Sequence, residues 1–253
     1  IQSTIVEGNL LSTRKVDDYI YLITNHYPDV WTLRDNPEVD LRPRVGTSSI
    51  QDDKAETLDY VDYEKIYHIP GSTEPNFMNL VAINIKKQNE KVNTVTYVGS
   101  GNEIFMSRSN LYITVPTYPE FDEFGHWFDH TETEIYKFEI NKSSIEYKAT
   151  GTIPGRLLNQ FSMDEHEEYF RVATTTGNTW DENAPSGNHL YVMDKELQVI
   201  GSVEDLARGE RIYSVRFMGE KAYVVTFKEV DPLFVFDLSN PTDPKVLGEL
   251  KIP

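Results

Sequence analysis

The stretch Arg211 to Pro253, RIYSVRFMGEKAYVVTFKEVDPLFVFDLSNPTDPKVLGELKIP, decides the fold. It divides into four apolar runs, Ile212–Met218, Ala222–Lys228, Leu233–Leu238 and Lys245–Leu250. The first break is the polar Gly219-Glu220-Lys221, and the last is Ser239-Asn240-Pro241-Thr242-Asp243-Pro244. Short runs rich in Val, Phe, Tyr and Ile, bounded by Gly, Pro, Asn and Asp, predict an antiparallel meander of four strands. One such meander cannot bury both of its faces, so copies of it must stack side by side.

Working backwards, the third run recurs. Leu80-Val81-Ala82-Ile83-Asn84, Ile135-Tyr136-Lys137-Phe138-Glu139 and Leu190-Tyr191-Val192-Met193-Asp194 match Leu233-Phe234-Val235-Phe236-Asp237, each ending on an acid or amide. A second marker is glycine in the fourth run, at Gly99, Gly151, Gly201 and Gly248, where each fourth strand is expected to close. Both recur at about 50 residues, the size of a propeller blade. A third marker is an aromatic early in the second run, at Tyr21, Tyr112, Phe170 and Tyr223, expected to pack between adjacent sheets. The opening strand pairs follow as Leu10–Val16 with Tyr19–Thr24, Ile104–Ser107 with Leu111–Val115, and Leu157–Met163 with Tyr169–Thr174. Between the last two lies an acidic turn, Asp164-Glu165-His166-Glu167-Glu168.

These markers predict an all-β protein, a propeller or partial propeller of about four blades of four antiparallel strands. It is a single domain over 1–253 with blades near 8–99, 102–151, 156–203 and 211–251. Three insertions fall between the second and third strands of a unit. They are a long one over about 26–77, PTYPEFDEFGHWFDHT from Pro116, and TTGNTWDENAPSG from Thr175. The first is too long for an ordinary connection, and within it Tyr63–Pro70 predicts a short extra strand. Equivalent insertions project from one rim, where binding loops usually sit.

Composition narrows the functional classes. A net charge of −17 opposes nucleic acid and anionic membrane as partners. With no cysteine there is neither disulfide nor thiolate metal site. No apolar run approaches the ~20 residues of a membrane helix. The chain opens on Ile1–Val6 and stops at Ile252-Pro253, strand at both ends, which predicts a piece of something longer whose open sheet faces self-associate.

The phrases LLNQFSMDE from Leu157, RVATTTG from Arg171, ERIYSVRFMG from Glu210 and VDPLFVFDLSNPTDPKVLGELKIP from Val230 carry a family resemblance. They resemble secreted bacterial and archaeal proteins with a C-terminal β-propeller domain, distantly WD40-like. Glu7–Ser12 and Gly99–Asn102 fit the same family. The resemblance implies a propeller and an extracellular or cell-surface setting, and it transfers no catalytic residue. It also implies further strands on both sides of this chain.

Candidate chemistry is sparse. His126, Asp129 and His130 supply nitrogen and oxygen ligands suited to zinc, although Trp127 stands where a zincin helix needs Glu. The plain alternative is a loop tucking Phe124, Trp127 and Phe128 against the rim. Turns such as Gln51-Asp52-Asp53 and Asn178–Asn183 have oxygen ligands for calcium but lack EF-hand spacing. No cofactor is otherwise expected, and no nucleophile elbow or phosphate loop occurs. Trp31, Trp127 and Trp180 all sit in the insertions, either presented for recognition of a protein or carbohydrate or pinning their own loops. The leading expectation is a non-catalytic extracellular binding module. The alternative is a secreted hydrolase or lyase acting on polysaccharide or peptide, with or without metal.

Overall fold

The computed structural model describes residues 2–49, 58–68, 75–87, 92–117, 131–180, 185–228 and 231–252. It divides into two compact units. The first comprises Ile1–Asn102, Arg108–Asn110 and Glu139–Glu146, and the second comprises Glu103–Ser107, Leu111–Phe138 and Tyr147–Pro253. Among the described residues, no helix is long and apolar enough to cross a membrane.

In the first unit the strands run β1 (Gln2–Val6), β2 (Asn9–Val16), β3 (Tyr19–His26), β4 (Arg44–Ser49), β5 (Asp59–Tyr60), β6 (Ile66–His68), β7 (Phe77–Asn84) and β8 (Asn93–Val98). Strands β2, β3, β7 and β8 form the expected meander, and β6 adds to its edge, parallel to β8. That edge strand is the one anticipated within Tyr63–Pro70. The long insertion also supplies β4 and β5, which join β1 in a small second sheet of order β1-β4-β5.

Then follow β9 (Glu103–Met106), β10 (Asn110–Thr117), β11 (Glu132–Asn141) and β12 (Ser144–Pro154). The hairpin tip joining the last two belongs to the first unit. The remaining eight strands are β13 (Met163–His166), β14 (Tyr169–Thr176), β15 (Gly187–Met193), β16 (Val199–Leu206), β17 (Arg211–Met218), β18 (Lys221–Phe227), β19 (Asp231–Asp237) and β20 (Lys245–Ile252). Each consecutive four is one sheet in meander order, so the all-β expectation of four-stranded repeats holds.

Three details differ from the sequence reading. The first strand of the third repeat is Met163–His166, not Leu157–Met163. Asn159 caps a 3-10 turn over Gln160–Ser162, its side chain accepting the Phe161 N–H, and the chain becomes extended only afterwards. The acidic run is therefore mostly strand, and the turn is Glu167-Glu168, with Glu167 at φ 57.

The aromatic marker is out of step at Phe170. Tyr21 pairs with Ala82 and Tyr223 with Val235, but the residue paired with the matching Val192 is Arg171. Because side chains alternate along a strand, Phe170 points the other way. It faces back to stack on Tyr112 with centroids 4.2 Å apart, so the prediction of packing between sheets holds for Tyr112 and Phe170, while Tyr223 is only half-buried and the equivalence fails.

The glycine marker needs the same correction. Gly151, Gly201 and Gly248 lie within strands rather than closing them, and Gly99 follows the end of β8. Register sets Asn93, paired with Ala82, in the place held by Gly201 and Gly248. Space explains the glycines. A Cβ on Gly151 would stand 2.4 Å from the Leu197 carbonyl oxygen, and one on Gly201 would stand 2.3 Å from that of Pro241. Each of these contacts is the turn between the third and fourth strands of the next sheet, lodged in the notch. In the first unit Asn93 does the equivalent work with a bond, its amide donating to the Ser143 carbonyl at 2.6 Å.

Two apolar cores follow in the second unit. Tyr112, Ile135 and Ile153 pack with Phe170, Val172 and Met193, while Ala173, Leu190 and Val192 pack with Val215, Val224 and Phe236. Sheet β13–β16 is thus buried on both faces, and all of Phe170–Thr175 is inaccessible.

Candidate functional site

Each unit carries exposed aromatic rings held by cations. In the first unit the chain leaves β3 and enters a 3-10 turn over Val30–Arg34. Asp29 caps it, accepting the Trp31 N–H at 3.1 Å. One turn on, the Arg34 guanidinium lies 4.4 Å from the Trp31 ring, which is 64% exposed. Arg42 sits 3.9 Å from the Tyr63 ring and 5.3 Å from that of Tyr60. Its guanidinium is fixed by Asp40 at 2.6 Å and by donation to the Val61 carbonyl at 2.8 Å. Arg44 pairs with Glu7 at 2.9 Å, and that hydrogen bond holds the Glu7 carboxyl below the usual carboxylate range. Tyr60, Tyr63 and Tyr67 are all exposed. Planar guanidinium groups stacked on rings and forked to carboxylates lose little entropy on further contact.

In the second unit, Asn178 accepts the Trp180 N–H at 3.0 Å, and the Lys228 ammonium stands 5.7 Å from the indole. Trp180 is 81% exposed, so it does not pin its own loop. Further along the chain, the β17–β18 pair is irregular between Ile212 and Ser214. The skipped residue, Tyr213, turns outward beside Phe227, with centroids 6.0 Å apart. Arg216 lies 4.0 Å over the exposed Phe161 ring.

In the same unit His189 is half-buried in β15. Its Nδ1 accepts the Asp205 N–H at 3.2 Å, which leaves Nε2 to donate to the Thr176 hydroxyl at 2.8 Å. Burial pushes its pKa below the ordinary value, against the pull of Glu204 and Asp205. Burial also raises the Glu103 carboxyl, although the Gln160 N–H donates to it.

Of the anticipated site residues, Trp31 and Trp180 are therefore presented to solvent. Trp127, His126, Asp129 and His130 lie outside the described residues. Among the described residues no group of three or more His, Asp or Glu side chains is placed to hold a metal ion. The sequence reading overlooked Tyr60, Tyr63, Tyr213 and Phe161. Only Trp31 and Arg34 had a local signal, the three-residue spacing that stacks a cation on a ring within one helical turn.

A beta propeller domain model matches residues 1–253, the whole sequence. The chain belongs to the beta propeller domain family. An uncharacterized protein of Methanocaldococcus jannaschii is 54% identical over 128 residues, 51% of this chain and 20% of the relative. An uncharacterized protein of Archaeoglobus fulgidus is 48% identical over 139 residues, 53% of this chain and 21% of the relative. The matched part is thus about a fifth of those relatives. Among solved structures, a neuraminidase-like protein from A/bat/Guatemala/164/2009 aligns over 98% of this propeller and 80% of its own chain, with TM-score 0.38 and 9% identity. The acylaminoacyl peptidase of Pyrococcus horikoshii aligns over 96% and 46%, with TM-score 0.31 and 8% identity. Neither likeness bears on activity.

Proposed function

We propose that this propeller is a non-catalytic extracellular binding module that engages a protein partner through its cation-stacked aromatic rings. The observation that carries this is the pairing of exposed Trp31 with Arg34, Tyr63 with Arg42, Phe161 with Arg216 and Trp180 with Lys228. Trp, Tyr and Arg dominate the energetics of protein interfaces, and rings already fixed in place lose little entropy on docking. The cations are set in a chain of net charge −17, so they mark where a partner's carboxylates would be accepted on an otherwise repelling surface. The extracellular setting rests on the resemblance to secreted propellers.

The test compares the wild-type chain with Trp31→Ala and Trp180→Ala. Cross-linking on intact host cells is followed by affinity measurement against each partner identified. Both rings are exposed, so melting temperatures stay unchanged. Loss of one hot-spot ring, at about 2 kcal/mol, lowers affinity tenfold or more. Binding to a glycan panel that depends on the same rings, with no protein cross-link, would replace this reading.

A further inference from the structure

The second unit holds a cleft of about 610 Å³ between the connection from β16 to β17 and the buried face of sheet β17–β20. That size suits a small ligand or a short length of peptide. Leu206 and Ala207 line it from the connection, Pro232 and Phe234 from β19. Both β19 residues are buried, and strand pairing sets Lys251 beside Pro232 and Glu249 beside Phe234.

The connection is a clamped wall. Its backbone is left-handed at Asp205, Ala207 and Gly209, with φ 60, 47 and 82. For Asp and Ala that conformation is costly and persists only where the surroundings impose it. Here Ser186 and β15 impose it. The Asn188 amide, 1% exposed, donates to the Leu206 carbonyl at 3.1 Å and the Glu210 carbonyl at 3.2 Å. The Ser186 hydroxyl donates to the same Glu210 carbonyl at 2.7 Å, and the Gly209 N–H donates to the Ser186 carbonyl at 2.8 Å. The side chains of this wall are engaged as well. Arg208 pairs with Asp205 at 3.1 Å, and the Glu210 carboxylate accepts the Thr226 hydroxyl.

The cations across the cleft are held far more loosely. Among the described residues Lys228 forms no ion pair, its ammonium standing 5.7 Å from the Trp180 ring. Lys251 has Glu249 only at 4.0 Å, with both side chains exposed. Lys228 ends β18 and Lys251 lies on β20, so the strand carrying Pro232 runs between them. Two lysines therefore flank an apolar floor without a close carboxylate, in a chain where 41 acidic side chains face 24 basic ones.

We propose that this cleft takes the carboxyl-terminal end of a peptide, its terminal carboxylate between Lys228 and Lys251 and an apolar last side chain on Pro232 and Phe234. The proposal rests on the reading of the chain as a protein-binding module and gives the partner a chemistry. Charge-assisted bonds from two ammonium groups hold a carboxylate, and a wall already fixed loses little entropy on docking. Glu204, Glu210 and Glu249 also line the cleft, and they oppose a more highly charged anion such as phosphate.

The test titrates acetylated tetrapeptides ending in Leu, Ile, Val or Phe into the chain by calorimetry, each as the free acid and as the amide. The expected result is binding of at least one free acid, with its amide weaker by about tenfold or more. Lys228→Gln and Lys251→Gln each lower that affinity about fivefold at unchanged melting temperature, and the arginine variants restore it. Equal binding of acid and amide would overturn the proposal, as would lysine variants that bind like the wild type. An amidated peptide whose only carboxylate is an internal glutamate, binding as well as the free acids, would overturn it too. So would failure of every peptide at millimolar concentration. If cross-links on cells that depend on Trp31 and Trp180 persist alongside that failure, the cleft falls and the protein-binding reading stands. If the peptides bind as expected while those cross-links are absent, the reading of the rings fails and the cleft stands.

Discussion

Sheets β13–β16 and β17–β20 are built to one plan, yet one is buried on both faces and the other on one. In β14 every residue from Phe170 to Thr175 is inaccessible, whereas β18 alternates buried and half-buried from Ala222 to Thr226. The strand sequences, YFRVATTT and KAYVVTF, scarcely announce the difference. Burial here is conferred by the neighbour rather than by the strand's own composition.

The comparison breaks hardest at the second-strand side chains. Tyr112→Ala, which removes a ring fully buried against Phe170, lowers unfolding free energy by about 3–5 kcal/mol. Tyr223→Ala, on the open face, is expected to cost under about 1.5 kcal/mol. Chemical denaturation of both variants checks the gap, and equal losses would mean the last sheet is already covered. Next come the notches. Gly201→Ala forces a methyl into the Pro241 carbonyl and costs about 1–3 kcal/mol, while Gly248→Ala stays within about 0.5 kcal/mol of wild type in this chain.

A smaller effect sharpens the seating turn itself. Asp194 Oδ1 accepts the N–H groups of Glu196 and Gln198 at 3.0 and 2.8 Å, which holds Leu197 at φ 59 with its side chain buried beside Gly151. Asp194→Ala removes both acceptors and is expected to cost about 1 kcal/mol in thermal or chemical melts.

The smallest effect is one of pH. His189 has a folded pKa below its unfolded value, so the unfolded chain takes up the proton first on acidification. Stability from this residue is whole above the ordinary histidine pKa, falls as pH drops through it, and levels off below the folded pKa. Melting temperatures across that range should slope downward toward acid in the wild type and flatten in His189→Gln.

Much of the fold was legible because hydrophobic alternation and turn residues are local. The final repeat, Arg211 to Pro253, was placed to within two residues at every strand end. What failed was register. Phe170 looks equivalent to Tyr223 by aromatic type, and only strand pairing reveals Arg171 in that place, since one residue of slip reverses the face. Gly99 failed likewise: glycine past a strand end, at φ 129, serves backbone freedom, whereas Gly151 and Gly201 serve clearance. Leu157–Met163 was misread because an apolar run gives no sign that Asn159 will cap a turn inside it. Trp31 and Trp180 were legible as aromatics of the inserted loops, and both are exposed. The Arg42 stack on Tyr60 and Tyr63 was not, since its members come from different parts of a long insertion.

The lodged turns also divide the molecule into parts that can drift and parts that cannot. A turn such as Asp194–Gln198 is a key cut for one lock, and adding a residue to it would jam the stack. The stretch between β3 and β7 is of another kind, long enough to carry β4, β5 and β6 of its own. Anyone wishing to re-aim this scaffold at a new target should leave those turns untouched and begin at the exposed Trp180.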